Sequence, residues 1–474
     1  MSAEDEEQRK GLKPVVDIAT AVHIAHQIWG LRVADDDDPP RPLESYDDCN
    51  FYMPGILPAS LEPSQQRHKY LLKIQNGVES RTPEVLAFQH ATMARLTAAG
   101  LSCPRPVPLP PSVPPPRPAS TPPSTEKAMP PASSHTVFHT LPVRVGPATP
   151  LAVRLFHWVE GTPLVDVPFP PLPPPSSPPP ASPSPSLPPQ AAALLAAGRY
   201  LSRIEQALTG FDHPGSHRRH MWDVRHFASL RPWTRYLPEE GGKRALVVSV
   251  LEAFVREVVP VAEGGGKGGG EDGGEGLRMD SSQAGEERAM AGFREGVIMG
   301  DWNDANIIVA PRAPSQVRGL IDLGDALWTW QVNEVAIAMA YAAVSALGKA
   351  YPVQAAALLL RGWAAGSSTL PQREGAHLRT LTCARLAISV TLGAYSFAQN
   401  PENKYLLIHA QPAWSALRTL WGSERKRVEE VFTMAWEGGR EGGREGGGKE
   451  EDAVFWERII LKGFPLVGEE KTNW

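Results

Sequence analysis

Proline in this chain is gathered rather than scattered, and the excess among its 49 prolines in 474 residues falls in two tracts, about 104–133 and 168–189. A proline ring fixes φ and removes a backbone donor, so both tracts are expected to stay out of helices and sheets and to run as solvated, polyproline-like loops. Two further passages, 263–289 and 437–451, are dominated by glycine and glutamate and offer few side chains to a core. The foldable sequence is what lies between these four stretches. There leucine, alanine, valine and tryptophan are plentiful, enough for a sizeable core.

Charge and cysteine usage narrow the functional classes. The formal net charge is -5 and no long basic run occurs, so nucleic acid and anionic lipid are not expected partners. Cys49, Cys103 and Cys383 are far apart and lack metal-ligand spacing, which suits free thiols in a reducing compartment. The start MSAEDEEQRK is acidic, unlike a secretory or transit peptide, and no stretch approaches eighteen uninterrupted apolar residues. A cytoplasmic protein without a membrane span is expected.

Local patterns supply the elements. Val15, Val16, Ile18, Val22, Ile24, Ala25 and Ile28 form one apolar face, predicting a helix over 15–31. Segments 43–53 and 69–75 are short, apolar or aromatic, and bounded by turn residues, as antiparallel strands are. Thr82-Pro83-Glu84 reads as a helix start with a capping hydroxyl, and that helix should run to about Gly100. LAVRLFHWV at 151–159 is strand-like, and from 190 onward the pattern is mainly helical. The domains expected are an N-terminal lobe, 1–155, interrupted at about 104–133, and a C-terminal lobe, 156–474, interrupted at about 168–189, 263–289 and 437–451.

The chemistry concentrates in VIMGDWNDANIIV at 297–309 and GLIDLGDALW at 319–328. Asp301, Asn306 and Asp322 each flank a short β-branched or aliphatic run, as residues of loops anchored by paired strands do. An aspartate followed five residues later by asparagine, with a second aspartate beyond, meets the needs of phosphoryl transfer. One carboxylate receives the acceptor hydroxyl's proton, while an amide oxygen and another carboxylate ligate Mg²⁺, a cation that prefers oxygen. Asp301 is the base in this reading, and Asn306 and Asp322 are the metal ligands. Lys73, at the end of YLLKI, is placed to pair with nucleotide phosphates.

These segments resemble the aminoglycoside phosphotransferase and choline kinase-like superfamily, whose catalytic loop reads HGDxxxxN and whose metal loop reads IDFGD or similar. Met299 and Leu323 replace the histidine and the aromatic of those loops. SYDDCNFYM at 45–53, YLLKI at 70–74, LAVRLFHWVEGTPL at 151–164 and GAYSFAQNPENKYL at 393–406 are similar to the hydroxylysine kinase-like branch. The resemblance implies a two-lobed, protein-kinase-like α+β fold, with a small antiparallel-sheet lobe and a larger helical one. It also implies transfer of a γ-phosphoryl from GTP, or from ATP, to the hydroxyl of 5-hydroxylysine by a monomer. Kinases of choline, homoserine or an aminoglycoside share the motifs, and a non-catalytic kinase-fold binding protein is the alternative of a different class.

Several assignments stay open at this level. The family pattern puts Gln89 where the glutamate partner of Lys73 is usual, while Glu84 lies near the helix start, about 140° away around the helix. No glycine-rich phosphate loop is visible, and Tyr46 to Phe51 stand in its place. Asp325, Asp304 and Glu334 are candidates for an ammonium-binding role or for capping, and Asn303 for ordering the catalytic loop. Trp328, Trp330 and Tyr341 are candidates for a cation-binding wall or for core, and the PxxP repeats for recruitment of SH3 or WW-type domains.

Overall fold

A computed structural model describes residues 11–33, 37–45, 48–110, 139–141, 151–171, 187–264, 292–366, 370–399, 401, 410–445, 449–461 and 464. Most of the two proline tracts, nearly all of 263–289, Tyr46, Asp47 and most of 400–409 therefore lie outside the described residues. The chain divides into two compact units, Met1–Glu160 with His213–His217, and Gly161–Asp212 with Arg218–Trp474.

The first unit is built on an antiparallel sheet. Its strands are β1 (Arg32–Val33), β2 (Arg41–Leu43), β3 (Cys49–Ile56), β4 (His68–Ile74), β5 (Arg105–Pro106), β6 (His139–Leu141) and β7 (Leu151–His157). They run in the order β1-β3-β4-β7-β5, with β2 on β3 and β6 on β7. Strand alternation sorts the side chains between two faces. Tyr70, Leu72 and Ile74 of β4 are fully buried with Phe51, Met53, Val153 and Leu155, against Ile24, Ala25, Ile28 and Trp29 of helix α1 (Ile18–Trp29). The other face turns toward helix α2 (Pro83–Ala98), where Leu86 packs on Ala152. Lys73 and Arg154 are cross-strand partners on that second face.

Two capping details differ from expectation. Helix α1 begins three residues later than its apolar stripe, because the Asp17 carboxylate accepts from Thr20 N at 2.7 Å and fixes the first turn there. Pro83 opens α2 as expected, but the Thr82 hydroxyl donates to Glu79 O at 3.0 Å instead of capping the helix.

The second unit holds a three-stranded sheet, β11-β10-β8, and a two-stranded one, β12-β9. Their ranges are β8 (Thr162–Pro163), β9 (Glu295–Ile298), β10 (Ile307–Ala310), β11 (Ala313–Leu320) and β12 (Leu327–Trp330). The helices of this unit include α3 (Pro189–Leu208), α4 (Lys243–Ala253), α5 (Val332–Val344), α6 (Pro352–Gly366), α7 (Leu378–Gln399), α8 (Ala410–Gly422), α9 (Arg425–Glu445) and α10 (Lys449–Leu461). Helices α5, α6 and α7 are buried almost all round. Helix α7 is long and apolar enough to cross a membrane by composition, yet 78% of its apolar window is buried inside the protein.

Two of the low-complexity boundaries are corrected. Arg105–Pro106, inside the first proline tract, pairs with β7 at the edge of the sheet, and Val107 N donates to Leu155 O at 2.8 Å. An edge strand tolerates a proline because one side of its ladder needs no donor. The passage 437–451 is helical over much of its length: α9 runs on to Glu445 and α10 starts at Lys449. Val428, Val431, Phe432 and Ala435 bury the apolar face of α9. Gly439 continues that face where a Cβ would come within 2.5 Å of Arg361 O on α6, so glycine there allows close approach instead of ending the helix.

Candidate active site

Strand pairing brings two loops of the second unit side by side. β9 pairs with β12, Ile298 opposite Leu327, and β10 pairs with β11, Ile307 opposite Leu320. One more bond beyond the hairpin, Ile321 N to Asn306 O at 2.9 Å, draws the loop 299–306 against the loop 321–326. Gly300, at φ 74°, turns the first loop, and a Cβ there would lie 2.8 Å from Asp325 O. That position needs glycine for its left-handed backbone and for the room.

The Asp301 carboxylate is held at both oxygens. Oδ2 accepts from Asn303 Nδ2 at 2.8 Å and from Asn306 Nδ2 at 2.9 Å. Oδ1 accepts from Tyr341 Oη at 2.6 Å and from Arg385 Nη2 at 3.3 Å. Asn303 also orders the loop, since its Oδ1 accepts from Ala305 N and Asn306 N at 2.9 and 3.0 Å. Trp302, buried, stacks on Tyr200 with ring centroids 6.1 Å apart. The Asn306 amide nitrogen is spent on Asp301, including its carbonyl at 3.0 Å, so the amide oxygen is the end left to meet a cation.

Asp322 follows the hairpin with φ 55°, one of two non-glycine positive φ values among the described residues. Its Oδ1 accepts from Gly324 N at 2.9 Å. Backbone held in so sparsely populated a region costs energy and concentrates at functional sites. Asn306 and Asp322 thus emerge from adjacent ends of one hairpin with oxygen donors, unlike the thiolate and imidazole ligands that softer metals favour. Such a donor pair suits Mg²⁺, which takes one or two protein oxygens and completes its shell with phosphates and water.

Asp325 lies beside both aspartates. Its carboxyl is raised to about 7, first by burial and then by the Asp301 and Asp322 charges, with Arg385 and Arg218 opposing. Its Oδ1 is 3.5 Å from His220 Nε2, and Arg218 Nη2 donates to Ala326 O at 3.1 Å. Because the folded state holds this proton above the ordinary aspartate value near 3.9, folding takes up a proton between about pH 4 and 7. Stability therefore falls as pH rises through that window, and the penalty is complete above it. Asp325→Asn is expected to raise the Tm of the metal-free protein at pH 8 and to raise it distinctly less at pH 5. Equal shifts at the two pH values in thermal denaturation would contradict this.

Glu334 settles into a structural role, and Asp304 is held through its backbone. Glu334 is fully buried and its carboxylate accepts from the backbone N–H groups of Met299 and, at 3.3 Å, Gly300. Burial raises it to about 7, and it anchors the catalytic loop where a substrate-facing role was one of the alternatives. Asp304 accepts from Val165 N through its carbonyl at 3.1 Å. Trp330 packs edge-on against Phe293, and Trp328 Nε1 donates to Glu295 at 3.1 Å, so neither stands beside Asp301.

In the first unit, Lys73 pairs with Asp48, a residue outside helix α2. Its Nζ lies 2.9 Å from Asp48 Oδ2, with the two side chains 12% and 7% exposed. Asp48 also accepts from Asn76 N at 2.7 Å and from Gln75 Nε2 at 3.0 Å. Gln75 in turn accepts from Arg154, whose Nη1 donates to Gln89 Oε1 at 2.8 Å. The carboxylate that orients the lysine thus comes from the turn before β3, and Gln89 on α2 serves the neighbouring guanidinium. Glu84 is exposed at the helix start.

The model of the phosphotransferase enzyme family matches residues 61–368. The chain belongs to that family. Hydroxylysine kinase of Bos taurus is 25% identical over 450 residues, which cover 91% of this chain and 96% of that protein. The Mus musculus hydroxylysine kinase is also 25% identical, over 89% of this chain and 93% of that one. Among solved structures, an amicoumacin kinase bound to AMP-PNP and Ca²⁺ superposes with a TM-score of 0.51 at 12% identity, covering 87% of this chain and 96% of that one. This phosphotransferase has the α+β fold of the kinase-like enzymes, and it is a small-molecule kinase acting on an alcohol group.

Tyr341 and Arg385 are the site residues that sequence reasoning missed. Tyr341 was read as wall or core. Arg385 carried a signal of its own: it is a cation inside the apolar run LTCARLAISVTLGAYSF, and a buried guanidinium needs an acceptor.

Proposed function

We propose that this phosphotransferase moves the γ-phosphoryl of a nucleoside triphosphate, GTP in preference to ATP, to the side-chain hydroxyl of 5-hydroxylysine. The observation that carries the reaction is the Asp301 carboxylate bound to Asn306 Nδ2 at 2.9 Å, which turns the Asn306 oxygen outward beside Asp322. Asn306 and Asp322 would hold Mg²⁺, which when bound neutralises charge on the transferring phosphates. Lys73, pre-oriented by Asp48, would meet the phosphates as a point charge. Asp301 would accept the hydroxyl proton. The acceptor assignment is supported by near full-length likeness to hydroxylysine kinases, and a monomer in the cytoplasm fits the same reading.

A panel of 5-hydroxylysine, choline, homoserine and an aminoglycoside, each with GTP and with ATP, tests the proposal. With Mg²⁺ present, 5-hydroxylysine is expected to lead the others by about tenfold or more in kcat/KM, because a site built around a hydroxyl and charged amino groups rejects analogues that leave them unpaired. Turnover confined to acceptors that are not amino acids would overturn the assignment of substrate. Absence of transfer to any member would favour a binding protein.

A further inference from the structure

We propose that Arg218 is a positioning residue for the metal site: its guanidinium clips the loop 321–326 by two backbone carbonyls and so holds Asp322 where it can ligate a divalent cation. The inference rests on the reading of Asn306 and Asp322 as the Mg²⁺ ligands and adds the group that fixes one of them.

The loop has weak means of its own to stay in place. Upstream it leaves the hairpin through Ile321 N, which donates to Asn306 O at 2.9 Å, and downstream it enters β12 at Leu327. Between these ends Ala326 N reaches Leu323 O at 3.4 Å, beyond the usual range of a backbone hydrogen bond. Asp322 must nevertheless keep φ at 55°, a backbone state that persists only where its surroundings enforce it. Its carboxylate accepts from Gly324 N at 2.9 Å, so whatever fixes Gly324 also fixes the carboxylate.

Arg218 holds Gly324 from outside the loop. One nitrogen, Nη2, donates to Gly324 O and, at 3.1 Å, to Ala326 O, so both carbonyls turn toward a single guanidinium. His220, buried two residues further on, places Nε2 3.5 Å from Oδ1 of Asp325, the residue between those carbonyls. The stretch 218–220 thus meets three consecutive residues of the loop, 324, 325 and 326. Gly300 of the catalytic loop packs against the same span, where a Cβ would lie 2.8 Å from Asp325 O.

Position and charge make opposite predictions for this arginine. A cation beside a divalent-metal site repels the metal, so loss of the charge alone should tighten Mg²⁺ binding. Loss of the clip frees Gly324, and Asp322 with it, to leave the ligating geometry, and should weaken Mg²⁺ binding. Removing a group that orients a metal ligand typically costs about 10–100-fold in metal affinity.

Arg218→Met and Arg218→Lys test the clip. Methionine keeps the aliphatic stem without the donors, whereas lysine restores a donor nitrogen, and because both bonds leave one nitrogen an ammonium can make them. The readout is calorimetric binding of a non-hydrolysable GTP analogue, or of the ATP analogue where that binds more tightly, to the full chain at graded Mg²⁺. Arg218→Met is expected to raise the half-saturating Mg²⁺ concentration about tenfold or more, and Arg218→Lys to return it to within about threefold of wild type. A shift below about threefold in Arg218→Met, or one toward tighter binding, overturns the clip even if Tm falls, since a loss of Tm alone marks an arginine that only braces the fold. A lysine variant as impaired as the methionine variant overturns it too. Asp322→Ala run in parallel separates the two readings. If it binds nucleotide with the Mg²⁺ dependence of wild type, the metal ligands are misassigned, and if it loses that dependence while Arg218→Met keeps it, only the clip fails. Should Arg218→Met not fold, Arg218→Gln, whose amide is too short to reach both carbonyls, takes its place with the same expectation.

Discussion

Asp301→Ala is expected to lower the single-turnover rate of phosphoryl transfer by about 10³-fold or more, toward the upper end of what a general base contributes. Nucleotide and metal binding should survive. In the proposed arrangement Asn306 and Asp322 supply the metal oxygens, and the Asn306 amide nitrogen keeps its 3.0 Å bond to the Asp301 backbone carbonyl when the carboxylate is removed. The variant is therefore expected to hold Mg²⁺-nucleotide within a few-fold of wild type by calorimetry, a kcat effect without a matching loss of affinity. Asp322→Ala should behave in the opposite way and lose metal-dependent nucleotide binding first. If Asp301→Ala retained turnover, the assignment of the base would be wrong whatever the acceptor.

What sequence could and could not reveal follows from the range of each interaction. Segment 69–75 was legible as a strand from its short apolar run between turn residues, while the sorting of Tyr70, Leu72 and Ile74 to one face and Lys73 to the other emerges only in the folded sheet. Asp301, Asn306 and Asp322 could be picked out as neighbours because each sits one to three residues from a strand end, so spacing encodes which loops meet. The partner of Lys73 was not legible. The family pattern pointed to α2, yet Asp48 comes from the turn preceding β3, and its proximity depends on Cys49 pairing with Ile74. Nothing local records that register. Composition misled at 437–451, where glycine and glutamate suggested solvent. The spacing of Val428, Val431, Phe432, Ala435 and Gly439 still carries a helical face, with glycine as its smallest member.

Arg385 is the residue whose loss should cost the fold most. It is 2% exposed, donates through Nη1 to Trp222 O at 2.8 Å, and shares Nη2 between Tyr341 and Asp301, 84 residues away in sequence. Its guanidinium also lies 4.8 Å from the Trp222 ring centroid and 5.3 Å from that of Tyr341. Arg385→Leu leaves the Asp301 carboxylate beside Asp322 and Asp325 without its cation, and removing one partner of a buried ion pair typically costs about 3–5 kcal/mol. The expected result in denaturant unfolding is a loss of that order with an unchanged m-value. Arg385→Lys should recover part of the stability, since an ammonium keeps the charge but cannot span Trp222, Tyr341 and Asp301 at once. Combining Arg385→Leu with Asp301→Ala should cost less than the sum of the single losses, because the uncompensated charge is then gone. Simple additivity of the two would mean that the guanidinium acts through packing on Trp222 rather than through the carboxylate it touches.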